Sequence, residues 1–172
     1  MALRKSSRKL VADIWIVDAS PLIVLAKTGQ AHLLEKLANQ LLIPEAVVTE
    51  VLDGPPEDPA RILLESEFGN RAAPGAIPRR LLAWALGRGE TEAIALALEN
   101  ERTRVVIDDA AARRCAHALD VPVIGTLGVL VRAKQAGHVE SMAATLRAMK
   151  SAGLYIDDRT ARTVLKRIGE SW

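Results

Sequence analysis

Five acidic residues stand where the sequence could support chemistry: Asp18, Glu50, Glu90, Asp108 and Asp109. Asp18 directly follows the apolar run at 14–17, and Asp108-Asp109 follow a β-branched run at 104–107. Such runs are typical of strands buried on both faces of a parallel sheet, and open α/β sheets bind ligands beyond the carboxyl ends of their strands. We therefore predict that Asp18 and the Asp108-Asp109 pair lie at the same edge of one sheet.

Glu50 and Glu90 belong to predicted helices that pack on this sheet. Glu50 shares a helical face with Val47 and Val51. A carboxylate on an apolar face is costly unless something pairs with it, although Glu50 could also reach water from the margin of that face. Acidic residues in a first helical turn also suit the helix dipole, an explanation that fits Glu92 better than Glu90.

Converging carboxylates need a counter-ion, because two like charges about 4 Å apart repel by about 4 kcal/mol at an effective dielectric near 20. No Lys or His recurs beside these acids, and hard oxygen ligands favour Mg²⁺ or Mn²⁺. The three histidines lack zinc-ligand spacing. The alternative is that Asp18 is only a turn or capping residue, in a segment where Ser20 is expected to cap a helix and Pro21 to begin it.

Composition favours one domain with an aliphatic core, since 49% of the 172 residues are hydrophobic and only 3% are aromatic. We assign residues 13–172 to this domain and residues 1–12 to a basic extension that need not be ordered. A net charge of +2 restricts any nucleic-acid footprint to a local patch. One cysteine excludes an intrachain disulfide, and no segment is apolar enough to span a bilayer, so we expect a cytoplasmic protein with no membrane association.

Strand-like and helix-like segments alternate along the chain. Strands are predicted at 14–17, 41–43, 104–107 and 121–124, a further extended segment at 153–156, and an irregular connection at 70–78. Helices fill most of the intervals, and one of them is predicted over 61–68. This alternation predicts an α/β fold, with a small parallel sheet of about five strands and helices on both faces.

Five motifs in this order resemble those of PIN-domain proteins, close to the VapC-like toxin ribonucleases of type II toxin–antitoxin pairs. The motifs are I-V-D-A-S-P-L at 16–22, V-V-T-E-V at 47–51, G-R-G-E-T-E-A-I-A-L-A at 87–97, V-I-D-D-A-A-A-R at 106–113 and V-I-G-T-L-G-V-L at 123–130. The tail from Gly153, G-L-Y-I-D-D, resembles one subgroup. The resemblance extends over residues 14–170.

The resemblance implies a PIN-like α/β/α fold and an Mg²⁺- or Mn²⁺-dependent endoribonuclease that acts on single-stranded or structured RNA. It implies that the five acids bind metal, and that Ser20 and Thr126 orient metal or water. The metal would activate a water, with Glu50 or Asp108-Asp109 as a possible base. Arg88, Arg113, Arg114 and Arg132 are weak candidates for holding phosphates.

Two departures from the common toxin pattern leave alternatives open. The third acid is often Asp at a helix start, whereas here it is Glu90, with Glu92 as a competitor. The strand-end motif often has one Asp preceded by Thr, whereas here Ile107 precedes two, so either Asp108 or Asp109 could face the metal. The implied partners are RNA, a cognate antitoxin and a second copy of the chain. An aliphatic surplus at 22–42 is a further reason to expect a homodimer.

Two other classes of function compete with the nuclease. A phosphoacceptor signalling domain also carries Asp at strand ends, but it usually has a Lys after its last strand, where this chain has Gly125-Thr126. A non-catalytic PIN-like module that binds nucleic acid or protein would be marked by loss of the acids. Because the full set of acids is present, we rank that module second.

Overall fold

A computed structural model of the chain describes residues 13–153 and 156–172, and these residues form one five-stranded parallel sheet. The strand order is β3-β2-β1-β4-β5. The strands are β1 (Ile14–Val17), β2 (Gln40–Pro44), β3 (Asn70–Ala72), β4 (Thr103–Val106) and β5 (Val123–Ile124). The helices are α1 (Ala19–Lys27), α2 (His32–Leu37), α3 (Glu45–Leu52), α4 (Pro59–Glu65), α5 (Arg79–Leu82), α6 (Arg88–Glu99), α7 (Ala110–Ala118), α8 (Thr126–Gln135), α9 (Met142–Ser151) and α10 (Asp158–Arg167).

Helices cover both faces of the sheet, as the alternating pattern predicts. Trp15 and Val17 point to one face, where they pack with residues of α1 to α4 and α8 to α10. Ile16 and Val105 point to the other face, which is covered by α5, α6 and α7. Because side chains alternate along a strand, both sets are buried, and the predicted α/β fold with an aliphatic core is confirmed.

The chain changes direction across the sheet between β1 and β4. It builds β1, β2 and β3 in one direction and then crosses to place β4 on the other side of β1. Val17 pairs with Val106, and the Asp18 N–H donates to the Val106 carbonyl at 3.0 Å. The crevice beyond the carboxyl ends of these two strands is the topological switch point, where open α/β sheets bind ligands.

The fifth strand is not where the sequence pattern suggested. Residues 70–78 were expected to form a connection, but Asn70–Ala72 pairs with β2 as the edge strand β3. The prediction for 153–156 cannot be compared, since residues 154–155 lie outside the described part of the chain, as do residues 1–12. A three-residue edge strand with two exposed side chains carries little hydrophobic pattern.

Several helix ends also differ from the predictions. Ser20 does not cap α1, because the helix begins at Ala19 and Asp18 occupies the N-cap position. Pro21 then stands third in the helix, where a backbone N–H would lack a helical partner anyway. The helix predicted over 61–68 starts earlier, at Pro59, since the Asp58 carboxylate accepts from the Ala60 N–H at 2.9 Å.

The aliphatic residues at 22–42 are largely buried within the single chain. Leu22, Leu25, Leu33 and Leu34 are each fully buried. That surplus therefore gives no reason to expect a dimer. Among the helices of the described residues, none combines the length and the apolar character needed to cross a membrane.

Candidate functional site

Asp18 is the buried acid of the site. It follows β1 at the switch point, only 6% of its surface is exposed, and its side chain makes no capping hydrogen bond to α1. Burial raises its pKa from the ordinary 3.8 to about 6. The backbone N–H groups of Ala19 and Ser20 oppose this rise, whereas the negative charges of Glu90 and Glu50 add to it. Asp18 is therefore an acid whose neighbours do not compensate its charge.

Helices α3 and α6 bring the other two acids to Asp18. Their contact surface includes Val47 and Gly89, and a β-carbon on Gly89 would stand 3.0 Å from Val47 Cγ2. The same point lies 3.1 Å from Asp18 Oδ1 and 3.5 Å from Glu50 Oε2. Glu50 itself is exposed, at the margin of a face whose Val47 and Val51 are buried. Because residue 89 has no side chain, the end of β1, helix α3 and helix α6 can lie close together around the carboxylates of Asp18 and Glu50.

The two glutamates of α6 have different surroundings. Glu90 accepts from the Gly87 N–H at 3.0 Å, and its charge acts on Asp18. Glu92 accepts instead from the Ala46 N–H at 2.9 Å, so it ties α6 to the first turn of α3. Its other oxygen lies 3.9 Å from Arg88 Nη2. The structure therefore brings Glu90 to Asp18 and gives Glu92 a contact that organises the scaffold.

Asp108 lies at the end of β4, next to the strand that ends in Asp18, and Thr126 holds its carboxylate. The Thr126 N–H donates to Oδ1 at 2.8 Å and the Thr126 hydroxyl donates to Oδ2 at 2.5 Å. Thr126 is only 2% exposed and begins α8 directly after β5. Its buried hydroxyl therefore fixes the direction of an otherwise exposed acid.

Asp109 and Ser20 have less distinctive positions. Asp109 is the N-cap of α7, and its Oδ1 accepts from the Ala112 N–H at 2.8 Å. Ser20 lies in the first turn of α1 with an exposed side chain. Of the predicted site residues, Asp18, Glu50 and Glu90 come together, Asp108 and Thr126 form a pair on the neighbouring strand end, and Asp109 caps a helix. Their catalytic roles stay predictions.

A family model described as a PIN domain matches residues 14–170, which is nearly the whole described chain. The chain belongs to the PIN-domain family. PIN domains are generally nucleases, and they typically use a divalent metal. A comparison with curated proteins found no match.

The acids of this PIN domain suit a divalent cation in type and in charge. Carboxylate oxygens are the ligands that Mg²⁺ and Mn²⁺ prefer, and the negative charges of Glu90 and Glu50 add to the effect of burial in raising the pKa of Asp18. Within the described residues, however, no three acidic, histidine or cysteine side chains already form a metal-binding group. Glu90 accepts a hydrogen bond from Gly87 and Asp108 accepts hydrogen bonds from Thr126, but an ionised carboxylate has about four lone-pair sites, so each could still offer an oxygen to a cation.

A cavity of about 540 Å³ adjoins the acids on the β5 side of this PIN domain. Asp108, Arg113 and Thr126 line it, whereas Asp18, Glu50 and Glu90 do not. Arg113 donates through Nη1 to the Ile107 carbonyl at 3.2 Å, which places its guanidinium at the end of β4. The site is therefore an acid cluster around Asp18 with an open cavity beside it, and Asp108 stands at their junction.

Gly89 is the residue whose importance sequence reasoning missed. It is buried, and it is the second residue of α6, where glycine is less favourable than alanine by at most about 1 kcal/mol. The available signal was a glycine in a predicted helix, directly before the candidate acid Glu90. A residue that disfavours the helix at this point implies that a neighbouring group occupies the space of its side chain.

Proposed function

We propose that this PIN domain is an Mg²⁺- or Mn²⁺-dependent endoribonuclease and the toxin of a toxin–antitoxin pair. The observation that carries the proposal is the buried Asp18 at the switch point between β1 and β4, on which the charges of Glu90 and Glu50 act, with Asp108 on the adjacent strand end. Membership of a family of nucleases supports phosphodiester hydrolysis. RNA as the substrate, and the toxin role, come from the resemblance of the five motifs to toxin ribonucleases.

Each residue has a definite part in the proposed reaction. Asp18, Glu50 and Glu90 would hold the cation, and Asp108, directed by Thr126, would complete its acidic surroundings. When bound, a divalent cation lowers the pKa of water and neutralises charge that develops on the phosphoryl group. Glu50 is exposed and next to Asp18, so it can accept a proton from the attacking water and pass it to solvent.

The decisive experiment compares Asp18→Asn with the wild type on single-stranded RNA, with Mg²⁺, with Mn²⁺ and with EDTA. We expect the variant to lose about 100-fold or more of the metal-dependent rate, because the amide keeps the shape but removes the charge that holds the cation. Asp120→Asn is the matched control, since Asp120 is exposed and has a φ of 56°, which asparagine tolerates. The control should cleave like the wild type.

Two outcomes would count against the proposal. If nuclease-free Asp18→Asn keeps the full rate, the assignment of the active site fails. If the pure wild type cleaves neither RNA nor DNA with either metal, the chain is a PIN-like module that binds nucleic acid or protein without cutting it.

The partner proposals need separate measurements. If the chain is a toxin, the product of an adjacent small gene should copurify with it and suppress its nuclease activity. We also propose a homodimer, although its support is the family resemblance alone. A monomer mass by light scattering over a wide range of concentrations would contradict the dimer.

A further inference from the structure

A groove leads away from Asp108 along the β5 edge of the sheet. The cavity of about 540 Å³ beside Asp108 is followed by a second cavity of about 510 Å³ between β5, α8 and α10. Both cavities are lined by Ile124, Leu127 and Gly128, so they adjoin at the first turn of α8. We call the two together the β5 groove.

Three arginines line the far end of the β5 groove: Arg104, Arg132 and Arg167. Within the described residues, none of them forms a salt bridge with an acidic side chain. Arg104 is half-buried, and its Nε is enclosed with no hydrogen-bond partner in the same part of the chain. Burial and the charge of Arg132 lower the pKa of Arg104, and Asp13 offsets this only in part. The groove thus ends in uncompensated positive charge.

The arginines suit a phosphate better than any other group that the groove could meet. Guanidinium groups bind phosphate through paired hydrogen bonds, and three residues that line this end of the groove carry that group. Leu127 and Val131, which lie between them, are aliphatic, and none of the described residues that line the groove is aromatic. The groove therefore offers charge recognition at its far end rather than stacking of bases.

Continuity with the acid cluster points to RNA rather than to an acidic protein segment. Every nucleotide carries a negative charge, and carboxylates around Asp18 repel it unless a cation is bound. Affinity for an RNA strand must therefore come largely from positive groups at a distance from the acids. The β5 groove begins at a cavity lined by Asp108, Asp157 and Arg113 and ends at three arginines, so its positive charge is concentrated at the end away from the acid cluster.

We propose that the β5 groove carries single-stranded RNA away from the acid cluster, and that Arg104, Arg132 and Arg167 together hold one of its phosphates. This inference rests on the proposed function and specifies how its substrate is bound. The phosphate held at the arginines is remote from the bond that is cut, so its loss weakens binding without touching the acids.

The test measures binding of a fluorescently labelled, single-stranded RNA in EDTA, where no metal-dependent cleavage occurs. The variant is Arg132→Ala/Arg167→Ala, since both side chains are exposed and their removal leaves the core intact. The control is Arg159→Ala/Arg162→Ala, which removes the same charge from exposed positions of α10 outside the groove lining. Circular dichroism melting curves verify that both variants are folded.

We expect the groove variant to raise Kd at least about five-fold at ~0.1 M salt and to reduce the slope of log Kd against log salt by about 0.7, the value for one lost phosphate contact on a single strand. The control should stay within about two-fold of the wild type. Equal loss of binding in both variants would mean that the arginines act only through net charge. Unchanged RNA binding by the groove variant would overturn the inference and leave the groove to another ligand, such as an acidic protein segment.

Cleavage assays on the same preparations separate this inference from the proposed function. If the wild type cleaves RNA but the groove variant binds it normally, the inference fails and the proposed function stands. If the wild type never cleaves but the groove variant still loses affinity, the proposed function fails and the groove is an RNA-binding site. If the wild type neither binds nor cleaves RNA, both fail.

Discussion

Gly89 lies so close to Asp18 that a β-carbon at residue 89 would stand 3.1 Å from Asp18 Oδ1. Val47 Cγ2 would be 3.0 Å away on another side. Both distances are shorter than an ordinary van der Waals contact, so a side chain at residue 89 would displace Asp18 or Val47. The absence of a side chain at residue 89 therefore allows α6 to bring Glu90 up to the end of β1.

Gly89→Ala should separate stability from activity. Alanine is the better helix former by up to about 1 kcal/mol, and this gain offsets part of the steric cost, so stability should change little. The Asp18 carboxylate, in contrast, must shift by a few tenths of an ångström, and metal-dependent cleavage should fall by roughly ten-fold. Urea unfolding and RNA cleavage rates measure the two effects.

Gly75→Ala is the control for this change. Gly75 is exposed, and a β-carbon there would meet its nearest neighbour, Glu99 Oε1, at 3.5 Å. Both readouts should stay at the wild-type level in this variant. Full activity in Gly89→Ala would show that the close approach to Asp18 has no bearing on the chemistry.

The raised pKa of Asp18 makes the stability of the metal-free protein depend on pH. With a pKa of about 6 when folded and 3.8 when unfolded, Asp18 binds more protons in the folded state between these values. The free energy of unfolding should therefore fall as pH rises from about 4 to 6, by on the order of 3 kcal/mol, and the loss is complete above that range.

Urea unfolding in EDTA from pH 4 to pH 7 measures this dependence. Asp18→Asn lacks the titrating group, so its stability should vary less over this range and exceed that of the wild type near pH 7. Asp120→Asn should follow the wild type, since Asp120 is exposed. Parallel curves for the wild type and Asp18→Asn would contradict the raised pKa.

Sequence reasoning located the strand-end acids because local pattern is enough to do so. Asp18 and Asp108 each follow a short apolar strand, and strands of one parallel sheet end at one edge. Local sequence pattern could not predict the edge strand β3, because it has only three residues and is defined by its pairing with β2. Pairing partners depend on tertiary packing, which no single segment encodes.

The choice between Glu90 and Glu92 shows the same limit within one helical turn. Both residues lie near the start of α6, and only Glu90 stands in the first turn, where the helix dipole favours an acid. Their interactions with other elements distinguish them. The Ala46 N–H at the start of α3 donates a hydrogen bond to Glu92, whereas the charge of Glu90 helps to raise the pKa of Asp18. These contacts require the packing of α3 on α6, which only the assembled fold supplies.

This difference predicts opposite phenotypes for two identical changes. Glu90→Gln should lower metal-dependent cleavage at least about ten-fold with little effect on stability, because it removes a negative charge beside Asp18. Glu92→Gln weakens a charge-assisted hydrogen bond to the Ala46 N–H and should cost about 1 kcal/mol of stability while most activity remains. Cleavage rates and urea midpoints, measured on both variants, decide which of the two glutamates belongs to the site. The reverse pattern would make Glu92 the acid of the site.

Asp108 and Asp109 can be distinguished in the same way. Asp109→Ala removes the cap of α7 and should cost about 1 kcal/mol of stability, with activity largely kept. Asp108→Asn should abolish metal-dependent cleavage at little cost in stability, because the amide oxygen can still accept from the Thr126 N–H and the amide NH₂ can donate to the Thr126 hydroxyl. Loss of cleavage in Asp109→Ala, with Asp108→Asn active, would reverse the assignment.

Thr126 should matter through its hydroxyl alone. Thr126→Val keeps the shape and the N–H donor to Asp108 Oδ1 but removes the hydroxyl donor to Oδ2, so the carboxylate gains freedom to rotate. Cleavage should fall by roughly ten-fold, because a mobile acid spends less time in the productive orientation. Thr126→Ser retains the hydroxyl and should restore most of the rate, even if the lost methyl group costs about 1 kcal/mol in this buried position. Equal rates for the valine and serine variants would mean that the backbone N–H is sufficient to hold Asp108.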